Sequence, residues 1–145
     1  MTKTRDITLS IWINKSVDRV WLALTEADEL SHWLAQSART VDNGFELGWP
    51  HHSFQVSILE SNEPSALEIS WFTENGVGPS VRFELAAVND GCTVKLIHRG
   101  FDVSETDRVF VDHVEGWTMY LCNLRCYLDF GGDLRSGQPS GTVAM

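Results

Sequence analysis

Residues 112–133 read DHVEGWTMYLCNLRCYLDFGGD. Spaced at about 100° per residue, Phe110, His113, Val114, Trp117, Leu121, Leu124 and Leu128 share about 100° of arc, which predicts a helix with one continuous apolar stripe. Upstream, SETD at Ser104 to Asp107 has capping-box spacing, and downstream Gly131 and Gly132 stop the helix. The helix is therefore about 24 residues, or about 36 Å, long. Its stripe needs an apolar surface to cover. With Gly116 and Trp117 at mid-helix, it either lies on a solid core or roofs a hollow where the indole touches a ligand, and aromatic rings suit both.

The surface it covers is written in the preceding segments. Ile7, Leu9, Ile11 and Ile13 alternate with Thr8, Ser10 and Trp12, the period of a half-buried strand, with Trp12 on its exposed side. SVDRVWLALT then changes to helical spacing, and TEADELSHWL predicts a second short helix with Thr25 and Asp28 as a capping box. Five alternating segments follow: Phe45–Trp49, Phe54–Leu59, Leu67–Phe72, Val81–Leu85 and Thr93–Arg99. The turn formers between them (PHH, SNEPSA, ENGVGP and NDG) predict an antiparallel meander. The fold class is α+β: a sheet of six to seven strands around one long C-terminal helix.

Length and composition bound the function. The 145 residues suffice for one core, 43% of them are hydrophobic, and no apolar run reaches the roughly 18 residues of a membrane span. Residues 1–132 are expected to form a single domain and residues 133–145, rich in Gly, Ser and Pro, a flexible tail. The N-terminal MTKTRDITLSIWIN lacks a signal-peptide core, which favours the cytoplasm. Eleven basic against twenty acidic residues give a net charge of −9, a poor match for nucleic acid or an anionic membrane.

Sites of chemistry are sparse. GxSxG, HExxH, P-loop and dinucleotide-binding patterns are absent. The three cysteines lack CxxC spacing, Cys122 and Cys126 read as packing rather than ligands, and His51-His52 reads as a turn, so neither a metal nor a cofactor is expected. His32, beside Trp33, reads as surface. His98 and His113 fall on inward faces, where an imidazole can orient a ligand or exchange protons near neutral pH. Met119, Cys122, Cys126 and Phe130 form a second apolar arc on the long helix, a candidate contact between two copies.

VDRVWLALTEADELSHW, GF at Gly44-Phe45, LEISW, GCTVKLIHRGF and the pattern from His113 to Leu128, in this order over about residues 5–130, resemble the family of Hsp90-ATPase-activator homologues within the START/polyketide-cyclase-like (Bet v 1-like) superfamily. The resemblance implies a helix-grip fold with a deep cavity between the sheet and the C-terminal helix. By matching position, Trp33, Phe45, Trp49, Trp71, Val81, Phe83, His98, His113, Trp117 and Leu121 would face that cavity. The expected function is binding of a small hydrophobic or amphipathic molecule. A cyclase, hydratase or lyase using His98 and His113, and a protein-interaction module with an incidental cavity, are the alternatives; a co-chaperone role is disfavoured because strand one begins within six residues of the start.

Overall fold

The computed structural model describes residues 4–71, 79–102 and 107–135. In chain order the elements are β1 (Thr4–Ile13), α1 (Val17–Thr25), α2 (Ala27–Trp33), β2 (Ser37–Val41), β3 (Gly44–Trp49), β4 (His52–Asn62), β5 (Ala66–Ser70), β6 (Ser80–Val88), β7 (Gly91–Asp102) and α3 (Asp107–Phe130). The strands make one antiparallel sheet in the order β1-β7-β6-β5-β4-β3-β2. Sequential strands pair from β2 to β7, and β1 closes the order by joining β7. This is the expected α+β helix-grip fold, a curved sheet around the C-terminal helix.

Alternation decides which face of the sheet is dry. Val81, Phe83 and Leu85 on β6 are buried, as are Val94, Leu96 and His98 on β7, all on the face toward α3. On the other face Arg82 pairs with Glu60, Glu68 and Glu84. Hairpin turns set the register. Between β6 and β7, Asn89 and Asp90 have φ of 49° and 65°, the two positive values of a type I′ turn. At Gly44 a Cβ would stand 1.9 Å from the Val56 carbonyl oxygen, so β3 can lie against β4 there only as glycine.

Four features depart from the sequence reading. The first is β2, which SARTV conceals because only Ala38 and Val41 are apolar and neither face is fully buried; as an edge strand it is held by its ladder to β3. Second, Thr25 does not cap α2. Its hydroxyl donates back to the Trp21 carbonyl at 2.8 Å, ending α1, and α2 starts from Glu26 without a side-chain cap. Third, Trp12 is only half exposed: its ring lies on Gly91, its N–H donates to the Val88 carbonyl at 2.8 Å, and Arg125 stacks over it at 5.7 Å. Fourth, residues 133–135, assigned to the tail, are tied to the domain by hydrogen bonds to α2 and α3. The capping signal at Ser104 and strand residue Phe72 lie outside the described residues.

Candidate functional site

Trp117 lies at the centre of the packing between the middle of α3 and the sheet. Gly116 and Trp117 are buried, and the Trp117 ring packs on Trp71 at 4.8 Å, with Phe83 at 6.4 Å and Tyr120 at 5.9 Å. Its N–H donates to Nδ1 of His98 over 3.0 Å. An indole nitrogen can only donate, so His98 Nδ1 is an acceptor and the imidazole carries its proton on Nε2. Burial, with a smaller contribution from neighbouring His113, pushes the His98 pKa down to about 4 from 6.5. The two imidazoles lie 5.6 Å apart, edge to face.

A second polar pair lies further along the cluster. The half-buried Trp49 donates its N–H to the Tyr120 hydroxyl at 3.0 Å, while its ring stacks on Phe54 and on His52 of the β3–β4 hairpin. Trp71 meets both Trp49 and Phe54 edge to face. Burial raises the Tyr120 pKa, partly offset by the bond from Trp49, so its hydroxyl keeps a proton to donate. The cluster thus offers an apolar aromatic wall with two polar points, Tyr120 and His98.

A small cavity among the described residues lies to one side of these rings. It has a volume of about 10 Å³, the space of about one water, and is lined by Leu24, Leu30, Trp33, Leu34, Phe45, Leu47, Val56, Ile69 and Phe83. Three of the ten residues expected at a cavity, Trp33, Phe45 and Phe83, line this one. Trp71, Val81, His98, Trp117 and Leu121 are buried beside it in the aromatic and aliphatic packing, and Trp49 and His113 are half-buried. The cavity therefore sits between the sheet and the α1–α2 pair, and its leucine, valine and isoleucine lining was not singled out from sequence. No group of three His, Cys, Asp or Glu side chains among the described residues is placed to hold a metal.

Helix α2 closes this side, and α3 holds it there through polar side chains. Tyr127 donates to Glu29 at 2.7 Å, Arg19 pairs with the same carboxylate at 2.8 Å, and the exposed His32 stacks on the Tyr127 ring at 5.0 Å. Burial opposes ionisation of Glu29, yet the bonds from Arg19 and Tyr127 prevail and keep its pKa below the usual value. Asn123, fully buried, donates to the Trp33 carbonyl and to Asp133 and accepts from the Leu134 N–H. Neither Tyr120 nor Asn123 entered the sequence reading as a site residue. Tyr120, three residues from Trp117 along a helix, carried a signal in its spacing; Asn123, about 120° around from Trp117, carried none.

A family model described as Activator of Hsp90 ATPase homolog 1-like protein matches residues 14–129. The chain belongs to this family. Protein SSP2350 of Staphylococcus saprophyticus has the same fold as this member of the activator-homologue family, with a TM-score of 0.78 at 16% identity over 90% of this chain and 96% of that one. So does the Aha1 dimer of Colwellia psychrerythraea, with a TM-score of 0.77 at 18% identity, covering 88% and 98%. CalU16 of Micromonospora echinospora gives 0.69 at 23% identity, covering 88% and 78%. No curated protein matches the sequence. No helix among the described residues of this family member is long and apolar enough to cross a membrane.

Proposed function

We propose that this domain binds a small hydrophobic or amphipathic molecule, in the cytoplasm, in space that expands from the cavity beneath α2 toward the Trp71–Trp117 contact. The observation that carries the reading is the cavity wall. It is wholly apolar, and two of its residues, Trp33 and Phe83, also belong to the aromatic cluster: their rings meet at 6.5 Å, and Phe83 reaches Trp117 at 6.4 Å. Rotation of Phe83 would join the cavity to that cluster, exchanging ring–ring contacts for ring–ligand contacts of similar worth. Tyr120 and His98 would then fix the polar end of an amphipathic guest. In this role His98 orients the guest rather than accepting a proton from it, since its Nδ1 is occupied by Trp117.

Native mass spectrometry of gently purified protein tests the reading, followed by weighing of the molecules released on denaturation. A small-molecule adduct lost on denaturation supports it. A clean apo mass, with no fluorescence gain from the neutral apolar dye N-phenyl-1-naphthylamine, refutes it.

The outer face of α3 favours a second, compatible role, contact between two copies. Phe130 at its end is 75% exposed and Cys122 is exposed, and Met119 and Cys126 on the same arc are half-buried. Sedimentation that shows only monomer at high concentration would remove this assignment.

A further inference from the structure

The inference rests on the ligand-binding reading and concerns how a guest reaches the cavity. Three residues at the end of α2, Leu30, Trp33 and Leu34, form part of the cavity wall. The helix has only seven residues and no side-chain N-cap, too short to persist without outside support. Beside the bonds from Tyr127 and Asn123 of α3, support comes from one segment beyond that helix. Arg135 donates from Nη1 to the Ala35 carbonyl at 2.8 Å and from Nη2 to the Ser31 carbonyl at 3.0 Å, so one guanidinium binds two carbonyls at the C-terminal end of α2. Asp133 aims it with two further bonds, Nε to Oδ1 and Nη2 to Oδ2, both at 3.0 Å. Asn123 anchors Asp133 in turn, at 3.1 Å.

We propose that α2 is a lid over the cavity and that Arg135 is a tie that holds its C-terminal end shut. The chain can pivot where α2 meets irregular backbone, at Glu26 on one side and near Gln36 on the other, where the Gln36 N–H bonds to the Gly48 carbonyl and returns the chain to the sheet. Arg135 lies past the end of α3, beyond Gly131 with its φ of 67°, so losing its side chain leaves that helix whole. The rest of the wall belongs to α1 and to central strands of a continuous ladder. Releasing α2 uncovers the cavity without breaking that ladder.

Hydrogen exchange of the unliganded full chain tests the tie, comparing wild type, Arg135→Ala and, as a control, Arg39→Ala, which removes a remote pair with Glu46 on the sheet. Arg135→Ala is expected to speed exchange of the Leu30, Leu34 and Ala35 amides about 10-fold, with the α3 amides from Tyr120 to Leu124 unchanged. Arg135→Lys, a point charge that cannot span both carbonyls and Asp133 together, should fall between. Unchanged α2 exchange overturns the proposal, and so does equal acceleration throughout the domain. Stopped-flow uptake of N-phenyl-1-naphthylamine tests the lid: about 10-fold faster entry into Arg135→Ala is expected, and equal rates in the two proteins overturn it. If neither protein takes up the dye, the ligand-binding reading fails, while the exchange data still decide whether Arg135 holds α2.

Discussion

Trp117 of α3 donates its indole N–H to Nδ1 of His98 on β7, so a helix residue fixes the tautomer of a buried histidine on the sheet. Two consequences follow for the chemistry of this centre: His98 is neutral, and protonating it costs stability.

The pH dependence has a definite sign. The folded-state pKa of His98 is about 4 against 6.5 for an ordinary histidine, so between these values the unfolded chain binds more protons and stability falls as pH falls. The contribution is whole above pH 6.5, about 2 kcal/mol smaller at pH 5 and about 3 kcal/mol smaller at pH 4. Glu29 and Asp133 have pKa values held below normal, Asp133 chiefly by Arg135, so their contributions disappear at lower pH, from about the ordinary carboxylate range downward. Urea unfolding at pH 7.5 and pH 5 therefore isolates the histidine. His98→Gln should show a markedly smaller difference between the two pH values than wild type; an equal difference would assign the acid sensitivity elsewhere.

The indole of Trp117 contributes both packing and a donor, and two substitutions separate them. Trp117→Ala should cost about 3–5 kcal/mol, the range for an aromatic side chain removed from a packed core. Trp117→Phe keeps most of the ring contacts but leaves His98 Nδ1 without its donor, for about 1–3 kcal/mol. Imidazole nitrogen-15 shifts supply the independent readout: Nδ1 should appear unprotonated in wild type and become protonated in a fraction of Trp117→Phe molecules. A protonated Nδ1 in wild type would contradict the hydrogen bond as described.

The fold and the aromatic centre were legible in sequence because each is periodic. Val81, Phe83 and Leu85 alternate along a strand, and Trp117, Leu121, Leu124 and Leu128 recur at helical spacing, so inward faces could be assigned before any coordinates. The position of this small cavity beneath α2 was not legible. It depends on how α2 settles over Phe45 and Phe83, and α2 is held by Asn123, Tyr127 and Arg135, polar residues that each have a partner 90 or more positions away. Edge strand β2 escaped for a different reason: neither of its faces is fully buried, so SARTV carries no apolar alternation to read.

Asn123 provides a sharp test of the α2–α3 connection. Its amide faces two acceptors, the Trp33 carbonyl and Asp133, and its oxygen takes the Leu134 N–H. Asn123→Ala should cost about 1–3 kcal/mol by leaving these groups unpaired in a buried place. Asn123→Asp sets a carboxylate against two acceptors at neutral pH but regains a donor when protonated. Its stability deficit relative to wild type should therefore shrink on going from pH 7.5 to pH 5. A deficit independent of pH would mean that water or a side-chain rotation replaces the lost donor.

Phe83 decides whether cavity size limits binding. It is buried, lines the cavity and stands edge to face with both Trp33 and Trp117. Phe83→Ala should cost about 3–5 kcal/mol in the free protein, because transfer and cavity terms add. The enlarged apolar space should also take up N-phenyl-1-naphthylamine more tightly than wild type, as dry cavities lined by aliphatic and aromatic groups admit apolar guests. Measuring melting temperature against dye concentration joins the two effects: a ligand that fills the new space restores stability in proportion to its occupancy. A variant that is destabilised as expected yet shows no dye-dependent rise in melting temperature would place the binding space away from Phe83, and the aromatic cluster around Trp49 and Tyr120 would then be the part of the domain left to explain recognition.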